Sequence, residues 1–172
     1  DPAGDLLIAD PLALAIRKLT GYGTPDAKLV TFAGASVVES VTRLNADPNR
    51  NEEGVALADA TLLGPAGMCF DATGNLYVAE VGTTKAGTLA ATLTGKQPID
   101  PTFLPPSPPR IRKITPDGRI FTVAGPGGKL LTNPDAPDAL VSPWRLAIDP
   151  QGRLIVVDIG ANQLRFFPKG SY

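Results

Sequence analysis

Short apolar runs recur along this chain, each introduced by a turn and closed by an acidic residue. LLIAD (6–10), LYVAE (76–80) and LIVVD (154–158) share that form. Each follows an Asp-x-x-Gly turn that begins at Asp1, Asp71 or Asp149. Gly4, Gly74 and Gly152 stand where a tight hairpin needs positive φ. The runs are rich in Leu, Val and Ile, as strands buried on both faces are.

More of the repeat follows each run. IRKL (16–19) corresponds to IRKI (111–114) and to LRFF (164–167). The step from Asp10 to Ile16 equals the step from Asp158 to Leu164, so one hairpin suits both copies. LVTFAG (29–34) matches IFTVAG (120–125); it alternates like a strand and ends in Gly. Ahead of two of the turns lies one more strand, GMCFD (67–71) and RLAID (145–149). Each sits behind a Pro-containing lead-in, LLGPAG (62–67) or LVSPWR (140–145). The unit is four short strands, A (GMCFD), B (LYVAE), C (RIRKI) and D (IFTVAG). Four consecutive antiparallel strands per repeat make a blade of a β-propeller.

The chain therefore reads as an all-β propeller segment of about three four-stranded blades, the first and last incomplete. Residues 1–34 supply strands B, C and D of a first blade. Residues 62–125 form a complete blade with an insertion at 83–109, and residues 140–172 supply strands A, B and C of a last blade. A further insert occupies about 35–52.

PAGMCFDATGNLYVAE, followed by PPRIRKITPDGRIFTVAG, resembles the NHL repeat, most of all its bacterial, exported variety. The linker EGVALADATLLGP (53–65) is similar to the segment that joins blades in that family, and PDAPDALVSP (134–143) is a weaker echo. Some places depart from the pattern. Trp144-Arg145 stands where the family has a small residue and Gly, and ANQ (161–163) replaces its usual turn. The resemblance implies an NHL-like propeller and a secreted or periplasmic, extracytoplasmic location.

Composition narrows the picture. A chain of 172 residues is enough for one domain with a real core. Its 18 Gly and 18 Pro fit many turns rather than long helices. A net charge of −1 gives no pull toward nucleic acid or an acidic membrane, and no apolar run is long enough to span a bilayer. There is no histidine, which removes the commonest general base and metal ligand. A chain that starts at Asp1 is expected to be processed or cut from something longer. Propellers typically need four or more blades to close. The chain is thus expected to continue, or to complete its ring with other chains. Two copies of about three blades would make a ring of about six.

Candidate sites follow from the repeat. Asp10, Glu80 and Asp158 end strand B and would lie near one mouth of the ring. They could bind Ca²⁺ through oxygen ligands. The reading preferred here is that each accepts hydrogen bonds from its own turn or pairs with the strand-C arginine, Arg17, Arg112 or Arg165. Asp71 and Asp149 are expected to cap the A–B turns. Cys69 aligns with Ala147, which suggests packing rather than a nucleophile. The repeated basic positions lack aromatic stacking platforms, so RNA binding is not favoured. Gly125-Pro-Gly-Gly-Lys129 lacks the spacing of a phosphate loop and reads as a loop between blades. PIDPTFLPPSPP (98–109) favours extended polyproline II. It is either a rigid excursion or a contact arm, with Phe103 and Leu104 as apolar anchors framed by Pro105 and Pro106. Trp144, near a mouth of the propeller, is a second contact candidate, as are the 35–52 insert and the open blade edges.

The leading expectation is a non-enzymatic scaffold or protein-interaction module, with no catalytic residue and no cofactor. Its partners would be proteins, whether copies of itself or other chains. The alternative is a fragment of a Ca²⁺-dependent propeller enzyme, lactonase- or lyase-like, whose site lies mostly outside this chain.

Overall fold

A computed structural model describes residues 1–47, 52–82, 107–132, 136 and 138–172. Three antiparallel sheets follow one another along the chain. The first contains β1 (Leu6–Asp10), β2 (Ala15–Thr20) and β3 (Lys28–Ala33) in chain order. A helix, α1 (Val37–Ala46), and a two-residue strand, β4 (Val55–Ala56), come next. The middle sheet is built from β5 (Pro65–Phe70), β6 (Leu76–Glu80), β7 (Arg110–Ile114) and β8 (Arg119–Ala124), with β4 added outside β8. The last sheet contains β9 (Pro143–Ile148), β10 (Leu154–Asp158) and β11 (Gln163–Phe167).

The registers show why the repeat is legible. Ile8 pairs with Arg17, Val78 with Arg112 and Val156 with Arg165. A bulge follows Ile16 in the first sheet and Ile111 in the middle one, at the same place in each unit. Such a bulge adds a residue and turns the strand end without breaking the alternation elsewhere. In each Asp-x-x-Gly turn the glycine N–H donates to the aspartate carbonyl, at 3.0, 3.1 and 2.9 Å for Gly4, Gly74 and Gly152. Their φ values of 89°, 85° and 76° lie where a side chain would be strained.

The core is layered between sheets. Leu76 and Val78 of β6 face the first sheet and pack with Ile16, Ala33, Ile114 and Ile120. Tyr77 and Ala79 face the other way and pack with Ile111, Val123, Leu154, Val156 and Phe167. Strand β6 is thus buried on both faces, which its unbroken apolar run requires. Between the middle and last sheets β5 lies against β9. A Cβ on Gly67 would come within 2.5 Å of the Trp144 carbonyl oxygen and 2.7 Å of the Arg145 Cα. Only glycine allows that backbone approach.

The insert after β3 supplies α1. Its N-cap, Ser36, accepts a hydrogen bond from the Glu39 N–H, and the Glu39 carboxylate accepts from the Ser36 N–H. This reciprocal arrangement satisfies donors that a helix start otherwise leaves unpaired. No described helix is long and apolar enough to cross a membrane.

Candidate functional site

The acids that end the second strand of each repeat unit are held within their own sheets. The Asp10 carboxylate accepts from the Ala13 N–H at 3.1 Å and from Arg17 Nε at 3.5 Å. Asp158 is buried and accepts from the N–H groups of Val141 at 3.1 Å and Ser142 at 2.7 Å. Arg165 closes on it, with Nε at 3.0 Å and Nη2 at 2.9 Å. The same guanidinium donates to the carbonyls of Asp138 and Ala139. One arginine therefore ties β11 to both β10 and the lead-in to β9 through charge-assisted bonds.

Glu80 is fully buried, with Arg112 Nη1 at 3.6 Å and the Leu63 backbone N–H acting on its carboxylate. Its side chain is one methylene longer than that of Asp158, which receives two backbone N–H groups at the equivalent place. Burial pushes the Glu80 carboxyl up, against the pull of Arg112 and Arg110. Arg112 in turn donates to the Glu52 carbonyl at 3.0 Å, and Arg110 donates to the Pro126 carbonyl at 3.0 Å. Burial lowers the Arg110 guanidinium, with Glu80 opposing. Two acids and two arginines thus form a buried cluster where the chain leaves β6.

Asp71 and Asp149 hold the turns that precede β6 and β10. One Asp71 oxygen accepts from the N–H groups of Thr73 and Asn75, both at 2.9 Å, and the other from Asn75 Nδ2 at 2.8 Å and the Tyr77 hydroxyl at 3.2 Å. Burial alone would raise this carboxyl, but the hydrogen bonds from Asn75 and Thr73 outweigh it and hold it down to about 2. Asp149 accepts from the N–H groups of Gln151 at 3.0 Å and Arg153 at 2.8 Å, and from Arg153 Nε at 2.6 Å. A groove of 660 Å³ separates the two turns, lined by Phe70, Tyr77, Lys113, Ile148 and Tyr172 among others. Tyr77 and Tyr172 meet edge to face, with ring centroids 5.3 Å apart, and Lys113 Nζ lies 5.8 Å from the Tyr77 centroid. Every Asp71 and Asp149 oxygen already accepts from the protein, so neither carboxylate is poised to act as a base.

Cys69 offers no nucleophile. Burial, together with the charge on Asp71, pushes its thiol up to about 12, so the thiolate is scarce at neutral pH. Among the described residues no group of three or more His, Cys, Asp or Glu could hold a metal ion. Trp144 is half-buried on β9 and lines a cavity of 460 Å³ with Leu7, Ala9, Pro65, Met68 and Arg145. This cavity runs along the inner strands β1, β5 and β9. Phe103, Leu104, Pro105 and Pro106 lie outside the described residues.

The apolar surfaces at the two ends of the stack are the feature that reading the repeat strand by strand misses. On the first sheet, Leu6, Leu19 and Leu29 stand in one row, with Ile8 beside them, on the face turned away from the middle sheet. Leu6 is 50% exposed, Ile8 39% and Leu29 60%. On the last sheet, Ala147, Ile155 and Phe166 form one row, and Arg145, Val157 and Leu164 the next, again facing outward. Leu164 is 59% exposed and Phe166 51%, with the Arg153 guanidinium 5.6 Å from the Phe166 ring centroid. The signal in the sequence is the period of two. Leu154 and Val156 face inward, so Ile155 and Val157 beside them, and Phe166 and Leu164 paired with those two, must face outward.

No family profile and no curated protein matches this sequence. Among solved structures, the chain is similar to a protein of unknown function from Bacteroides thetaiotaomicron, with 19% identity and a TM-score of 0.58, over 96% of this chain and 32% of that one. It is also similar to a protein provisionally described as a gluconolactonase, with 15% identity and a TM-score of 0.58, over 95% of this chain and 41% of that one. The chain spans about a third to two fifths of the length of these structures. At such identities the likeness bears on the fold alone. It agrees with the expectation from the repeat: the chain is an all-β segment of a β-propeller.

Proposed function

We propose that this chain is a non-enzymatic propeller scaffold, a protein-interaction module of the NHL-repeat kind within a larger or oligomeric assembly. The observation that carries the reading is a contrast. The recurring carboxylates are engaged with backbone N–H groups or arginines, or buried beside them, whereas the outward faces of the first and last sheets expose Leu6, Leu29, Leu164 and Phe166. Contiguous exposed apolar surface of this kind marks a site of contact. A place outside the cytoplasm rests on the resemblance of the repeat to bacterial exported proteins.

The rival is a Ca²⁺-dependent lactonase- or lyase-like propeller. The two are separated by assaying lactone hydrolysis and thermal unfolding with Ca²⁺ and again after chelation. The expected result is no turnover and an unfolding midpoint that does not move. Turnover that needs Ca²⁺, or a midpoint raised by the ion, would replace the scaffold reading with the enzyme.

A further inference from the structure

Within the repeat, some side chains have lost a task that their counterparts perform. At one register position Leu7 pairs with Lys18 in the first sheet, Tyr77 with Lys113 in the middle sheet and Ile155 with Phe166 in the last. In the first unit Lys18 fastens the Asp-x-x-Gly turn, with Nζ 2.8 Å from the Asp1 carboxylate and 2.7 Å from that of Asp5. In the middle unit other groups hold the turn. Asn75 stands where Asp5 does, and the Asn75 amide and the Tyr77 hydroxyl donate to Asp71. In the last unit Arg153 stands at that place and pairs with Asp149 itself. Lys113 is therefore left over. It is half-buried, its ammonium lies 5.8 Å from the Tyr77 ring centroid, and among the described residues it has no carboxylate partner. A partly desolvated cation without a counter-charge is stabilised by an anion that comes to share its surroundings.

The last sheet adds a second lysine. Pro116 covers the turn glycine Gly74 in the middle unit, and Lys169 covers Gly152 in the last. Lys113 and Lys169 both line the 660 Å³ groove between the Asp71 and Asp149 turns. Phe70 and Ile148, the half-buried last residues of β5 and β9, give this groove an apolar lining. We propose that the groove binds a small organic carboxylate, with its charged end at Lys113 and Lys169 and its apolar body against Phe70 and Ile148. The volume lies within the range of about 300–1,000 Å³ that small-molecule sites occupy. A single negative charge suits the groove better than two. The Asp71 and Asp149 carboxylates stand at its rim, and their repulsion grows with the charge of the ligand. Such a site stands whether or not the chain also serves as a scaffold.

Phenylacetate, one carboxylate on an apolar ring, is the probe. It is titrated into the isotope-labelled full-length protein and followed by the amide NMR shifts. Saturable shifts are expected at Phe70, Lys113 and Ile148. Lys113→Met is expected to weaken binding on the order of tenfold, for the loss of a charge-assisted contact. Phenylacetamide, of the same shape without the charge, is expected to bind more weakly than phenylacetate by a similar factor. Lys18→Met separates binding from fastening: it is expected to lower the thermal unfolding midpoint and to leave phenylacetate binding unchanged, whereas Lys113→Met leaves the midpoint nearly where it was. If Lys113→Met fails to fold by circular dichroism, Lys113→Gln takes its place. The absence of any saturable shift at millimolar probe overturns the proposal. So does wild-type affinity in the Lys113 variant, or phenylacetamide binding as tightly as phenylacetate. Phenyl phosphate binding more tightly than phenylacetate also overturns it, since the ligand class would then be a phosphate monoester.

Discussion

At the scale of single residues, the carboxylates of this chain act as fasteners. Asp71 illustrates the physics, because the donors converging on it stabilise its ionised form more than burial opposes it. With its carboxyl held down to about 2 from an ordinary value of 3.8, the turn's contribution is complete above about pH 4 and drains away as pH falls toward 2. Asp71→Ala is expected to lower the unfolding free energy by about 2 kcal/mol in urea at neutral pH, for the loss of charge-assisted hydrogen bonds at a partly exposed site. The difference from wild type should shrink as pH falls toward 2. A difference unchanged between pH 7 and pH 2.5 would mean that the side chain acts through packing instead. The turn itself is legible in the sequence, because the same Asp-x-x-Gly spacing occurs three times. The partners of each acid are not legible. Nothing in the spacing says that Asp158 takes the Val141 and Ser142 N–H groups, or that Arg165 reaches on to the Asp138 and Ala139 carbonyls.

At the scale of elements, repetition makes the strands readable and its absence hides the rest. Every strand of the three sheets except β4 has a counterpart in the same order in another unit. β4 has two residues and no period to detect. Helix α1 lies in an insert with no counterpart, although Ser36 and Glu39 carry the spacing of a helix start. Gly67 shows how one position links element to packing. It reads as an ordinary strand glycine until β9 is placed against it. Gly67→Ala is expected to cost about 1–3 kcal/mol, since the added methyl meets backbone rather than a side chain that can rotate away. Thermal unfolding would show this as a lowered midpoint. An unchanged midpoint would mean that the middle and last sheets lie further apart than described.

At the scale of the whole molecule, three sheets stack with two layers of core between them, and the sequence alone gives that count. It does not show how much apolar side chain the two outward faces carry. That emerges only from the exposure of each side chain in the fold. The central claim is that these end faces are covered in the working protein, while the recurring carboxylates only hold the sheets together. Oxidative footprinting of the wild-type chain, read residue by residue in a mass spectrometer and scaled to the unfolded chain, addresses it directly. Tyr22, 74% exposed in the turn between β2 and β3, serves as the internal standard. The account expects Leu29, Leu164 and Phe166 to be labelled severalfold less than their exposure in a single chain implies, relative to Tyr22. Labelling of Leu164 and Phe166 in proportion to their 59% and 51% exposure would contradict it.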